Sequence, residues 1–498
     1  MKKILKRRCF MKMMGAGAAA VAFPMEFCKK GNKEKPNIIF FLADDLGYGE
    51  LGCYGQKKIR TPHIDRMAAE GMRFTQHYAG STVCAPSRCV LLTGKHTGHA
   101  YIRDNDEMGE RGDVWHDPEL EGQRPLPAGT TTIGSMLQRA GYTTGVIGKW
   151  GLGGPHSSGE PNKQGFDHWY GYLCQRVAHN YYPTHLWRNG QKHVLEGNRY
   201  FFPHQRLPKD RNPNEEASYD EYSGKQYSLD LMVEEAVDFI QKNKDQPFFL
   251  YVPFTVPHAA IQVPKDSLDE YTGAFPEVPY KGEKGYLPHP VPRAGYAAMI
   301  TRMDRGIGRI MKRVKKLGLD EKTMVLFSSD NGPTFNGGTD STFFNSAGPL
   351  RGLKTSLYEG GIRVPLVVRW PGFVKGGAVS SHISAFWDFM PTFAETAGIP
   401  LPENIDGISL LPVLTGHPQQ QKEHEYLYWE YKRRQAVRFG KWKAYRSAPE
   451  GKLELYDLEQ DVEEQNDVSA SHPKVAAEAQ RIFEEARTES QIFPLVRK

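Results

Sequence analysis

The chain has six cysteines in 498 residues, almost no excess of one charge and no long apolar run. Cys53, Cys84, Cys89 and Cys174 follow no disulfide-dense or zinc-binding spacing, so cysteine is not the scaffold. No uninterrupted apolar stretch reaches the ~18 to 20 residues of a membrane span, and no transmembrane segment is expected. The 64 basic and 58 acidic residues leave a formal charge of +6, but Lys2, Lys3, Lys6, Arg7, Arg8 and Lys12 supply all of it, since residues 1–22 hold no acid. The rest of the chain is neutral, which argues against nucleic acid as a partner. Repeats and low-complexity arrays are absent, and collagen, coiled coil and wholesale disorder are excluded. What is present is apolar mass: 39% hydrophobic residues and 11% aromatics, enough for a large packed core.

Residues 1–22 read as an export signal, with a basic start, a weakly apolar Met13 to Phe23 and an Ala20-Val21-Ala22 cleavage pattern. Arg7-Arg8 fits a twin-arginine box or an ordinary secretory signal. Glu26 and Phe27 before Cys28 fit a lipoprotein box poorly, so the expected destination is periplasmic or secreted without a lipid anchor. Downstream, buried-strand runs (Asn37 to Ala43, Thr144 to Gly148, Phe248 to Phe254, Met324 to Ser328, Pro365 to Arg369) alternate with helical periodicity at Ile64 to Glu70, Thr132 to Ala140, Leu229 to Lys242 and Tyr296 to Leu317. The runs are apolar on both faces, which predicts an α/β fold over 23–415, a large mostly parallel or mixed sheet with helices on both faces. From 416 to 498, amphipathic runs at Glu425 to Tyr431, Ala436 to Arg446 and Leu453 to Leu458, then helical Lys474 to Arg487, predict a smaller antiparallel sheet plus a helix.

Polar residues at strand ends mark the chemistry. Asp44-Asp45 closes the first strand and Asp330-Asn331-Gly332 a later one, and in open α/β sheets such carboxyl ends gather around the ligand crevice. Converging carboxylates repel unless a cation joins them, and an all-oxygen set suits calcium or magnesium rather than zinc. The alternative is that these residues only cap helices and form turns.

Cys84 taken alone reads as a small buried hydrophobe or as a thiolate activated at a helix N-terminus near Arg88. Its context, Ser81-Thr82-Val83-Cys84-Ala85-Pro86-Ser87-Arg88 and then Leu91-Leu92-Thr93-Gly94, resembles the signature of the type I, formylglycine-dependent sulfatases. These are arylsulfatase-like members of the alkaline phosphatase superfamily, in which the cysteine or serine of a C-x-P-S-R segment is oxidised to formylglycine. Gly148-Lys149-Trp150, Pro257-His258, Gly352-Leu353-Lys354 and the segment from Glu359 to Pro365 resemble further family segments in the same order. The resemblance implies a sulfuric ester hydrolase with Cys84, Arg88, Lys149, His258 and Lys354 as catalytic groups. It also implies a Ca2+ or Mg2+ ion held by Asp44, Asp45, Asp330, Asn331 and the oxidised Cys84, and a formylglycine-generating or anaerobic sulfatase-maturating enzyme as partner.

In the implied mechanism the hydrated aldehyde attacks sulfur, His258 or Lys354 protonates the departing alcohol, and deprotonation of the second hydroxyl expels sulfate. One general acid or base supplies only ~3 to 5 of the roughly 8 to 23 kcal/mol an enzyme removes, so the cation and Arg88, Lys149 and Lys354 must carry a large share. One departure stands out: the family pattern GKWHLG is GKWGLG here, with Gly151 in place of a histidine that contacts the formylglycine hydroxyl. His156 either enters that vacancy as the base or is a bystander.

Residues 171–211 are rich in aromatics and histidine and hold seven Lys/Arg against two acids. This suits an anionic sugar, with Lys149, His258, Lys354, Arg176 and His179 as substrate contacts; the alternative is an insertion packing its own aromatics. A sulfated glycan of the galactose or N-acetylgalactosamine sulfate type is the expected substrate. The rival readings are a phosphomonoester or phosphodiester hydrolase of the same superfamily and a catalytically silent glycan-binding relative.

Overall fold

The computed structural model describes residues 35–106, 121 and 123–496; the expected export signal and Cys28 lie outside them. A ten-stranded sheet forms the centre, in the order Ala378–Ser380, Met72–Phe74, Leu366–Arg369, Thr323–Ser329, Asn37–Ala43, Phe248–Pro253, Thr143–Lys149, His168–Tyr172, His185–Arg188 and Gln191–Val194. The middle five strands run parallel. Leu366–Arg369 runs antiparallel to Thr323–Ser329, so the sheet is mixed. Along Asn37–Ala43, Ile38, Phe40 and Leu42 enter one core and Ile39, Phe41 and Ala43 the other, the period of two expected of a strand covered on both faces. Helices Cys84–Thr93, Ile133–Arg139 and Phe389–Ala397 cover the first face; Pro62–Glu70, Ser228–Lys242 and Pro292–Lys316 cover the second. Among the described residues, no helix is long and apolar enough to cross a membrane.

The C-terminal sheet has four antiparallel strands, Leu427–Tyr431, Arg434–Phe439, Trp442–Arg446 and Glu454–Asp457. The run from Ala436 to Arg446, expected as one strand, is two: Phe439 pairs with Trp442 around Gly440, whose φ of 52° allows the tight turn. One face of this sheet packs Tyr428, Val437 and Leu455 under helix Pro473–Glu485; the other sends Leu427, Trp429 and Ala436 into the main core. A second turn, Asn189-Gly190, folds part of the aromatic-rich insertion into an edge hairpin.

Candidate active site

The carboxyl ends of two adjacent parallel strands build the floor. Asp44 and Asp45 follow Ala43, and Asp330 follows Ser329 on the neighbouring strand. Asp330 N–H donates to Ala43 O at 3.1 Å and Asp45 N–H to Asp330 Oδ1 at 3.1 Å, locking the two ends together. Gly332 comes so close to Gly360 that a Cβ would stand 1.9 Å from its carbonyl, which carries the Glu359–Ile362 segment to the same end of the sheet. Cys84 opens helix Cys84–Thr93, and Arg88 follows one turn later. The Cys84 side chain is 1% exposed, yet its neighbours are polar: Sγ lies 3.2 Å from Asp44 Oδ1, 3.9 Å from Asp45 Oδ1 and 3.6 Å from Lys354 Nζ.

Three cations face the three carboxylates. Arg88 donates through Nε and Nη2 to Asp330 Oδ2 at 3.1 and 2.8 Å, and through Nη1 to Lys149 O at 2.6 Å. Lys149 donates to Asp44, and Lys354 to Asp45 at 2.7 Å. Burial would discharge both lysines, but the surrounding anions together, led by Asp44 for the first and Asp45 for the second, hold the ammonium groups above the ordinary lysine range. Burial would also raise Asp44, yet Lys149, His258, Arg88 and Lys354 hold it far below the usual carboxylate range. Burial and then Asp44 push Asp330 up to about 6, against Arg88. Burial, Asp330 and Asp44 keep the Cys84 thiol well above its usual value, so it is protonated and poorly suited to attack as a thiolate.

The donor set suits a hard cation. Oxygens of Asp44 and Asp45 lie within 4.8 Å of each other and of the Cys84 and His258 ligand atoms. Asn331 Nδ2 donates to Asp45 Oδ1 at 2.8 Å, while its Oδ1 is buried with no hydrogen-bond partner. An orphaned carbonyl oxygen beside three carboxylates is the environment an oxygen-seeking divalent ion satisfies.

One wall is made of imidazoles. His258 donates Nδ1–H to Ala259 O and turns Nε2 toward Asp45 Oδ2 at 3.5 Å. Burial and then Lys354 push its pKa down to about 4. His179 stacks on His258 with centroids 4.4 Å apart, and Tyr286 closes against His179, His204 and His258. Arg176 is half-buried and near enough to His204 to lower its basicity, though less than burial does. His204, Tyr286 and Tyr431 belong to no recognisable motif. Tyr431, raised above its ordinary value by burial and then Asp104, also feels Lys354 and Cys84, so the C-terminal sheet reaches the rim. The hairpin residues His185 and Trp187 instead pack around Glu121. His156 is not brought into the cluster: it is exposed on a loop, and its backbone N–H is tied to Glu160.

Residues 36–399 match the Sulfatase family. The chain belongs to the sulfatase family. It is a sulfuric ester hydrolase, and residues 353–489 also match the C-terminal region of N-sulphoglucosamine sulphohydrolase. The sulfatase is 29% identical to the N-acetylgalactosamine-6-O-sulfatase of Bacteroides thetaiotaomicron, over 92% of this chain and 94% of that protein. It is 30% identical to the N-acetylgalactosamine-6-sulfatase of Rattus norvegicus, over 83% and 72% respectively. Among solved structures, Ps i-CgsB in complex with k-i-k-neocarrahexaose superposes with a TM-score of 0.72 at 29% identity, covering 91% of this chain and 92% of that one. A phosphonate monoester hydrolase of Agrobacterium radiobacter, at 18% identity and a TM-score of 0.61 over 93% of this chain and 100% of that one, shares the fold.

Proposed function

We propose that this sulfatase releases inorganic sulfate from a sulfated carbohydrate of the galactose or N-acetylgalactosamine sulfate type, using formylglycine made from Cys84 and a calcium or magnesium ion. The observation that carries this reading is the gathering of Cys84, three carboxylates, the unpartnered Asn331 oxygen and three buried cations in one site. Asp44, Asp45, Asp330, Asn331 and the oxidised residue 84 would hold the ion. When bound, the ion acidifies a hydroxyl of the hydrated aldehyde and screens the anionic ester. Three carboxylates balance three cations, so a divalent ion leaves the site at a formal +2, which suits a sulfate monoester.

Within that site Arg88, held on Asp330, would hold the oxygen of residue 84, and Lys149 on Asp44 and Lys354 on Asp45 would receive the nonbridging sulfate oxygens. Lys354, held on Asp45, and His258, whose Nε2 lies 3.5 Å from the same carboxylate, would face the leaving oxygen. His258 is fixed in one orientation by the Ala259 carbonyl below it and the His179 ring against it. His179, Arg176, His204 and Tyr286 would receive the sugar, aromatic faces against the ring and the arginine toward a second anionic group. The sugar relatives named above support this substrate class. The proposed route places the protein in the periplasm or outside the cell after export, with a maturation enzyme oxidising Cys84, and residues 416–498 are a C-terminal subdomain packed on the main core.

Mass spectrometry of the Cys84 peptide, from protein coexpressed with a maturation enzyme, tests the modification; a panel of sulfated galactosides, N-acetylgalactosaminides and glucosaminides tests the substrate. Aldehyde mass with sulfate release from the first two classes is the expected result. An obligate thiol with no release from any sugar refutes the reading.

A further inference from the structure

Lys354 is flanked by two residues in the left-handed backbone region, Gly352 with a φ of 86° and Thr355 with a φ of 70°. Glycine takes that conformation freely; a β-branched threonine does not, because its Cβ crowds the following carbonyl oxygen. Such strain persists only where the surroundings hold it. Three hydrogen bonds hold it here. Thr355 N–H donates to Thr82 O at 3.0 Å, and the Thr82 hydroxyl donates to Ser356 O at 2.7 Å. The Thr355 carbonyl itself accepts from Arg434 Nη1 at 2.7 Å. One side of this clamp is therefore the segment that leads into helix Cys84–Thr93, and the other is the first residue of strand Arg434–Phe439 in the C-terminal sheet.

The clamp carries Lys354. The backbone N–H of that residue donates to Pro333 O at 3.0 Å, while Nζ reaches Asp45 at 2.7 Å and stands 3.6 Å from Cys84 Sγ. Relaxation of Thr355 toward negative φ turns the chain at the residue next to Lys354 and shifts the base of that side chain against Asp45. Of the three bonds, the one from Arg434 comes from a donor that is always charged, and charge-assisted bonds are roughly twice as strong as neutral ones.

We propose that Arg434 is a positioning residue: through the Thr355 carbonyl it holds the left-handed turn that aims Lys354 at Asp45 and residue 84. The inference rests on the role given to Lys354 above, and it makes the C-terminal sheet a working part of the site.

Two measurements test it, and the first requires no oxidation of Cys84. In hydrogen exchange on the full chain, Arg434→Met should speed exchange of the 353–358 peptide by about tenfold, the equivalent of one hydrogen bond from a charged donor. In a Thr355→Gly background, where a positive φ carries little strain, the same substitution should speed exchange by no more than about twofold. No acceleration, or the same acceleration in both backgrounds, overturns the proposal.

The second measurement follows turnover of nitrophenyl sulfate by matured protein. Arg434→Met should lower kcat/KM by about tenfold in the wild-type background, by about twofold or less with Thr355→Gly, and not at all with Lys354→Ala, because a residue that acts through Lys354 then has nothing left to position. An undiminished loss in the Lys354→Ala background shows Arg434 acting elsewhere and overturns the proposal. Should Lys354→Ala alone turn over at the wild-type rate, the role given to Lys354 is retired, and the exchange pattern by itself upholds or overturns the Arg434 clamp.

Discussion

Lys443 is the perturbation with the clearest consequence. It is fully buried in the C-terminal sheet, 2.9 Å from Glu359 Oε1 and 3.3 Å from Glu464 Oε1, both also fully buried. Glu359 has other support, the Tyr78 hydroxyl at 2.7 Å and Arg363 at 3.3 Å. Among the described residues, the Glu464 carboxylate has only the Glu359 N–H besides Lys443. Breaking a buried pair costs about 3 to 5 kcal/mol, and the support left to Glu359 places Lys443→Met near 3. With an unfolding entropy of about 2.1 cal/mol/K per residue, a body of this size loses ~1 °C per kcal/mol, so a fall of about 3 °C is expected.

The deficit should depend on pH. Burial pushes Glu464 up to about 7 despite Lys443. A carboxyl raised in the folded state contributes stability that is complete below its unfolded value and is lost as pH rises through the folded one. Without Lys443 the folded value climbs further, and each additional unit is worth about 1.4 kcal/mol once the wild-type group has ionised. The melting difference between wild type and Lys443→Met should therefore widen by ~1 to 2 °C between pH 5.5 and pH 8. Sulfate release should fall as well, because Glu359 leads the segment whose Gly361 carbonyl holds Gly332 at 3.0 Å, next to Asn331. Calorimetry at the two pH values decides the matter; a difference that is absent, or the same at both, refutes the reasoning.

Cys84→Ala should abolish sulfate release by at least about a thousandfold while retaining the wild-type circular dichroism, and surviving turnover would remove Cys84 from the chemistry. Asp330→Ala should lose the divalent ion by elemental analysis and destabilise the fold by about 3 kcal/mol, since Arg88 is left buried with only the Asp44 carboxylate, 3.6 Å away; unchanged metal content would strike Asp330 from the ligand set. His156→Ala should leave kcat and KM unaltered, as befits an exposed loop residue, and a slowed burst or turnover would restore it as the base. Arg176→Ala should raise KM for an anionic oligosaccharide by up to about fivefold with kcat little changed; equal effects on a small neutral aryl sulfate ester would argue against a sugar contact.

Local sequence was enough to determine much of this molecule. Apolar runs such as Asn37–Ala43 and Thr323–Ser329 declare buried strands because each has both faces in a core, and the polar residues that end them mark the crevice because parallel strands share one carboxyl edge. The Cys84 to Arg88 segment is legible because its chemistry is carried by residues one helical turn apart. What only tertiary structure decided lies where side chains meet across distant segments. Gly440 divides a run that looked like one strand because a turn residue is recognised by its φ, not by hydrophobic period. The wall of His179, His204, His258 and Tyr286 and the exclusion of His156 depend on loop paths that no periodicity encodes. Lys443 was indistinguishable from a solvated surface lysine until the sheet that bears it folded against Glu359, since burial and ion pairing are properties of the packed chain and not of the residue.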